Sequence, residues 1–275
     1  MTTKSIENNQ PLAVFLHGSA GSSRQWLNLT AELESRVRTI SPDLIGYGRG
    51  DHYRKGSRFH LNHEVRHVLR QIKAETGKDN GPLHLVGHCY GAAVALQIAL
   101  TYPERVASLT LYEPAQFLLL FADGLQSSEG REILEVRKFL RNNVKSPFGR
   151  WAAAHKLVNY WSGESAWNEM SFRRQFGMAR MMPKVAAEFE AILSSNVSAA
   201  DFAGMNLPVR LVLRSETRST ARKVTEVLND VLPQVELITV EGAERMAPAM
   251  QADHIDPLLV GHVAETIERQ YCAAA

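Results

Sequence analysis

Gly87-His88-Cys89-Tyr90-Gly91 is the segment of the sequence best suited to covalent chemistry. It lies between an apolar strand pattern, Leu83 to His88, and an apolar helix pattern, Tyr90 to Ala99. A nucleophile flanked at two residues by glycines, in a strand–turn–helix context, is an elbow. The small neighbours allow a sharp turn that lifts the middle side chain above the sheet. The middle residue also meets a helix amino terminus, where the dipole favours a thiolate or an oxyanion. Most free cysteines are small buried residues, but the elbow context favours a functional Cys89. Neighbours in an elbow point in opposite directions, which makes His88 structural.

Three more segments join the elbow. His17-Gly18-Ser19-Ala20-Gly21 follows the first strand pattern, Asp43-Leu-Ile-Gly-Tyr-Gly-Arg follows the second, and Leu111-Tyr-Glu-Pro114 ends the fourth. Together they make the chain resemble an α/β-hydrolase from Leu12 to about Tyr271. The resemblance implies an oxyanion hole from the backbone N–H groups of Ser19 and Tyr90, with His17 and Gly18 beside the substrate. It also implies a shortened or missing amino-terminal hairpin.

All three positions of the family's catalytic triad are altered. Cys89 stands where the family has serine. After the strand Val209 to Leu213 the segment Ser215-Glu216-Thr217-Arg218 puts Arg218 at the usual acid position. Gly242-Ala243-Glu244-Arg245-Met246-Ala247-Pro248 puts Arg245 at the usual histidine. Two carboxyl groups remain open as the acid: Glu113, at an alternative position in some relatives, and Glu216. Either can instead pair with Arg245 or Arg218, and the two arginines can instead hold a substrate carboxylate or phosphate, which suits their planar forks. A thiol needs a base less than a hydroxyl does, and a neighbouring cation such as Arg245 is expected to lower its pKa. The expected function is therefore a hydrolase or acyl-transfer enzyme that takes a small ester, thioester or lactone-like substrate through an acyl-Cys89 intermediate. Loss of the histidine base slows hydrolysis of such an intermediate and favours a substrate that brings its own nucleophile. Two rivals stay open: a degraded hydrolase that binds a small molecule or a partner, and a lyase, isomerase or cyclase in the same pocket.

The elements that must position these groups alternate. Strand patterns at Leu12–His17, Val37–Pro42, Leu83–His88, Val106–Tyr112, Val209–Leu213 and Val235–Val240 are interleaved with helix patterns near Trp26–Leu33, His60–Glu75, Tyr90–Ala99, Thr220–Leu232 and Asp253–Gln270. This alternation predicts an α/β fold with a mostly parallel sheet and helices on both faces. Residues 115–205 carry helical patterns without a clear strand. They predict a helical cap, leaving 1–114 and 206–275 as the hydrolase core. Ligands of such sheets bind at the carboxyl edge, under the cap. Trp151, Trp161, Met178 and Met246 are candidate walls of that pocket, and the cap's Trp and Met residues serve equally as its own core.

Composition narrows the alternatives. Across 275 residues, 31 Lys and Arg against 29 Asp and Glu leave a net charge of +2, which argues against a nucleic-acid or anionic-lipid surface. Two cysteines, Cys89 and Cys272, exclude a disulfide framework and a cysteine-rich zinc module; Cys272 reads as a bystander. His60, His63 and His67 fall on one helix face but lack a partner to complete a metal site, so a solvated face is expected, as it is for His254 near Arg245. No cofactor is implied. The amino terminus, residues 1–10, lacks a signal peptide's apolar core, and no apolar run is long enough to span a bilayer, so a cytoplasmic enzyme is expected. Oligomeric state is open.

Overall fold

A computed structural model describes residues 11–33, 37–54, 56, 58–77, 82–122 and 127–274; the amino-terminal segment 1–10 lies outside them. Six parallel strands form one sheet in the order β2-β1-β3-β4-β5-β6: β1 Leu12–Leu16, β2 Arg38–Ile40, β3 Leu83–His88, β4 Val106–Tyr112, β5 Val209–Arg214 and β6 Val235–Val240. Strands β1, β3 and β5 are buried along their whole length. That is what a strand covered on both faces requires, and it explains why these strands are mostly apolar, with His84, His88, Arg210 and Arg214 as the polar exceptions. Edge strand β6 keeps its polar alternates at the surface.

Helices cover both faces. On one side lie α1 Leu27–Leu33, α10 Ala247–Met250 and α11 Ala252–Ala274, around Trp26, Phe15 and Tyr112. On the other lie α2 Leu61–Thr76, α3 Tyr90–Thr101 and α9 Ser219–Val231. Helix α3 is apolar almost all round because it is buried almost all round.

Between β4 and β5 the chain makes α4 Ser128–Asn143, α5 Pro147–Ser162, α6 Ala166–Glu169, α7 Phe172–Leu193 and α8 Ala199–Ala203, with no strand among the described residues. Ser127 and Ser146 start α4 and α5 by accepting the backbone N–H of Gly130 and Gly149 at 3.0 and 3.1 Å. The apolar sides of α4, α5 and α7 join the same core as α3, so this helical segment packs over the carboxyl edge of the sheet.

One sequence expectation changes. His67 is buried, with Nε2 2.9 Å from the Asp43 carbonyl and Nδ1 3.1 Å from Asp51, so only His60 and His63 remain on a partly solvated face. His60 and His63 form a reciprocal cap at the start of α2. No group of three or more potential metal ligands occurs among the described residues. No helix among them is long and apolar enough to cross a membrane.

Candidate active site

Cys89 sits between β3 and α3 with φ 52° and ψ −110°. A non-glycine residue there carries strain of about 1–3 kcal/mol, which surrounding structure must hold in place. The hold is visible. The Cys89 N–H donates to the Tyr112 carbonyl at 3.0 Å, and the Cys89 carbonyl accepts from Ala115 at 3.1 Å and from Ala93 at 3.2 Å. Gly91 lets α3 approach β1: a Cβ there would lie 2.1 Å from the Leu16 carbonyl oxygen.

The loop after β1 closes against this turn. A Cβ on Gly18 would meet the His88 ring at 2.9 Å and the Cys89 Cβ at 3.6 Å. His17 braces the loop: its Nδ1–H donates to the Gly18 carbonyl at 2.8 Å, and Nε2 accepts the Leu44 N–H at 3.1 Å. Both ring nitrogens are thus engaged, and burial holds its pKa down. Gln25 Oε1 accepts the Gly18 N–H and faces His88 Nδ1, both at 3.2 Å. The His88 ring packs against Tyr112 and also borders the cavity that Cys89 faces. Burial, with Arg245 nearby, holds His88 well below the usual imidazole range.

The sulfur has a cation, not an imidazole, as its neighbour. Arg245 Nη2 donates to Cys89 Sγ at 2.8 Å, and Nη1 lies 3.4 Å from Glu113 Oε2. The guanidinium stacks on Trp161, 3.9 Å from its ring centroid. Glu113 is buried at the end of β4, with φ 44°. Its other oxygen accepts from Arg214 Nε at 2.8 Å, while Arg214 Nη2 donates to the Trp161 carbonyl at 3.0 Å. One carboxyl group therefore serves two guanidiniums beside the thiol.

The expected lowering of the thiol pKa is overturned. Burial pushes Cys89 up; Arg245 and the Tyr90 N–H pull it down by less, and Glu113 and Glu188 oppose them. A helix amino terminus and a cation do not outweigh the loss of solvent around this sulfur.

Cys89 borders a cavity of about 730 Å³, lined on the core side by Gly18, Ser19 and Ala20 and on the cap side by Trp161, Met178 and Phe189. Arg214, Arg245 and Met246 also border it. Other sequence candidates lie elsewhere. Glu216 is exposed. Arg218 starts α9 outside the cavity, stacked on Tyr160, donating to the Tyr160 carbonyl and 3.5 Å from Glu132. Trp151 packs edge-to-face on Trp167 within the cap and does not reach the cavity. His262 is buried with Nδ1 2.8 Å from Thr110.

Two residues of the cavity wall escaped the sequence reading. Arg214, the last residue of β5, takes the inner place expected of Arg218 four residues later. A charged residue following the apolar run Leu211-Val212-Leu213 was the available signal. Glu188, in α7, borders the cavity and bonds to Lys184 and Tyr47; within a long helix rich in charges nothing local distinguished it.

The model of the family described as "alpha/beta hydrolase family" matches residues 13–266. The chain is 25% identical over 238 residues to Lipase 3 of Moraxella sp. (strain TA144), covering 83% of this chain and 69% of that one. It is 32% identical over 112 residues to the probable lysophospholipase BODYGUARD 2 of Arabidopsis thaliana; the match covers 38% of this chain and spans only 22% of the plant protein. Among solved structures, 2-hydroxy-6-oxo-6-phenylhexa-2,4-dienoate hydrolase from Rhodococcus sp. strain RHA1 superposes with a TM-score of 0.65 at 19% identity, over 93% of this chain and 91% of that one. At that identity the likeness is one of fold.

Proposed function

This chain belongs to the alpha/beta hydrolase family, and we propose that it is an enzyme of that type acting on small ester, thioester or lactone-like substrates through an acyl-Cys89 intermediate. The observation that carries the proposal is the strained, buried Cys89, held on the wall of a cavity of about 730 Å³ with its sulfur 2.8 Å from a guanidinium nitrogen. Attack by Sγ forms the C–S bond, the substrate's C–O or C–S bond breaks, and the thiol proton leaves with the departing group. The N–H groups of Tyr90 and Ser19 flank the position of the oxyanion, and one such donor is worth about 2.7–4 kcal/mol in the reactions where it has been removed. Arg245 adds a fixed positive charge to the same place. It has no lone pair to take a proton at accessible pH, so it does not replace histidine as a base. Activated acyl groups, whose leaving group departs readily, are the substrates such a site handles best.

Intact mass measured after incubation with p-nitrophenyl acetate tests this. An acetyl adduct, or fast p-nitrophenol release, that disappears in Cys89→Ala is the expected result. Neither adduct nor release in the unaltered protein overturns the acyl-Cys89 reading. One observation favours a binding protein as the second reading: the cavity's only thiol is pushed away from ionisation. In that case a ligand retained under the cap would be found in the purified protein by denaturing mass spectrometry.

A further inference from the structure

A second buried ion cluster borders the cavity from the cap side. Lys184 Nζ is 2.9 Å from Glu64 Oε1 and 2.8 Å from Glu188 Oε1. Its ammonium lies over the rings of Tyr47, Phe59 and Tyr90, at 5.1, 4.4 and 4.8 Å from their centroids. Burial opposes the charge on Lys184, but Glu188 and Glu64 hold it as an ammonium. The two carboxyl groups are not equally satisfied. Glu64 uses both oxygens: Oε1 accepts from Lys184 and from the Tyr90 hydroxyl, and Oε2 accepts the Ile45 N–H at 3.0 Å. Glu188 uses one. Its Oε1 accepts from Lys184 and from the Tyr47 hydroxyl at 2.6 Å, while Oε2 is buried with no hydrogen-bond partner. Leaving a buried carboxyl oxygen unpaired is unfavourable, and each such group in a folded protein calls for an explanation.

Glu188 stands on the cavity wall, as do Cys89 and Ala20. Tyr47, which donates to it, has its oxygen against the backbone of Ala20 in the loop after β1. Glu64, which shares its lysine, also accepts from Tyr90, the residue after Cys89. Through its bonded oxygen, Oε1, Glu188 is therefore linked by way of Tyr47 and Lys184 to both segments that flank the oxyanion position. Arg245 is no base, and His88, which also borders the cavity, packs against Tyr112 and is held well below the usual imidazole range by burial, which makes it a weak proton acceptor.

We propose that Glu188 is the general base that receives the proton of the O–H acceptor attacking acyl-Cys89, the acceptor being water or a substrate hydroxyl. This deepens the acyl-Cys89 reading and rests on it. The O–H proton passes to Glu188, the oxygen bonds to the acyl carbon, the C–S bond breaks, and the proton passes on to the Cys89 sulfur. An acyl–S and an H–O become an acyl–O and an H–S, with nothing else consumed. Lys184 holds Oε1 and aims the carboxyl group while Oε2 stays free for the incoming donor.

The test separates acceptors that need a base from those that do not. Protein acetylated with p-nitrophenyl acetate is given methanol or ethanethiol, and the two transfer products are measured. A thiol ionises in water near neutrality far more readily than an alcohol. Glu188→Gln is expected to lower the methanol-to-ethanethiol ratio by about 10²-fold or more, the usual contribution of a positioned base, and Glu188→Asp to recover part of it. A merely structural role for Glu188 would move both products together. An unchanged ratio in Glu188→Gln overturns this assignment and leaves acyl-Cys89 standing. If Glu188→Gln does not fold, the ratio is read in Glu188→Ala, which also lacks the carboxyl group, and an unchanged ratio there overturns it equally. Failure of the unaltered protein to acetylate at all overturns the acyl-Cys89 reading and this assignment with it.

Discussion

The two ion clusters on either side of the cavity invert one another. Beside Cys89, one carboxyl group, Glu113, serves two guanidiniums, Arg214 and Arg245. Beneath the cap, one ammonium, Lys184, serves two carboxyl groups, Glu64 and Glu188. The first has formally one positive charge in excess and the second one negative. Charges buried like this are poor sources of stability, since desolvation consumes most of the Coulomb gain. What they supply is direction. The cavity has a positive end and a negative end; in the proposed reaction the first faces the negative charge on the acyl oxygen and the second collects a proton. The clusters also differ in what they can do when damaged. A carboxyl group can take up a proton and shed its charge, whereas a guanidinium cannot at any accessible pH.

That difference makes Glu113→Gln the most damaging change. It leaves two permanent cations facing each other in a buried site, and a loss of about 3–5 kcal/mol in urea unfolding is expected, as for other broken buried pairs. The loss should be nearly the same at pH 5 and pH 8. Lys184→Met removes the shared cation instead. Its loss should be smaller and should shrink as the pH is lowered, because one of the two carboxyl groups then takes up a proton. Equal losses at both pH values in the two variants would erase the distinction between the clusters.

A third buried polar group, away from the cavity, sharpens the comparison because it carries no charge. His84 and His262 lie between the sheet and α11 with Ser108, Thr110 and Thr266, bonded at 2.8 to 3.3 Å. Burial pushes His84 down to about 4 and His262 down to about 3. Unfolded, each titrates near 6.5, so between 6.5 and those values the unfolded chain binds more protons. Stability from these two sites is therefore present above pH 6.5 and is lost as the pH falls towards 3, at up to about 1.4 kcal/mol per pH unit for each. Urea midpoints measured from pH 7 to pH 4 should fall, and His262→Asn should flatten the fall. A flat profile in the unaltered protein would mean that these histidines are not held neutral.

The positive end also acts on the thiol, with a smaller effect. Arg245 lowers the thiol pKa that burial raises. The pH profile of Cys89 alkylation by iodoacetamide should therefore keep rising above the ordinary thiol range. Arg245→Met should shift that profile further to higher pH. A shift to lower pH would contradict the contact between Arg245 and the sulfur.

The centre of the sheet was legible in the sequence because β1, β3 and β5 are buried on both faces. Leu12–Leu16 and Leu83–His88 need no partner information to read as apolar runs, and Gly87 and Gly91 mark the turn between β3 and α3. Cys89, Arg245 and Glu113 follow from the flanking motifs, and the structure brings all three together. Three matters were not legible. The state of the thiol depends on how much solvent the cap removes, and no local pattern reports that. The choice between Arg214 and Arg218 depends on which way the chain turns after β5: four residues carry Arg218 out to Tyr160. The Lys184 cluster joins Tyr47, Glu64, Tyr90 and Glu188, drawn from the loop after β2, from α2, from α3 and from the cap, and only the folded chain makes them neighbours.

The pair of arginines around that turn gives the finest test. Arg218 has partners outside the cavity: the Tyr160 ring and carbonyl, and Glu132 at 3.5 Å. Its side chain is 42% exposed, and exposed ion pairs contribute about 0–1 kcal/mol. Arg214 is buried and holds both Glu113 and the Trp161 carbonyl. Arg218→Ala should therefore change the unfolding free energy by about 0.5 kcal/mol or less and leave acetylation of Cys89 as it is. Arg214→Ala frees one oxygen of Glu113 and one tie to the cap, so Glu113 turns wholly to Arg245. Because Arg245 is also the donor to Sγ, acetylation should slow in Arg214→Ala even where the protein remains folded. The same slowing in Arg218→Ala would return Arg218 to the site and make the four-residue offset after β5 wrong.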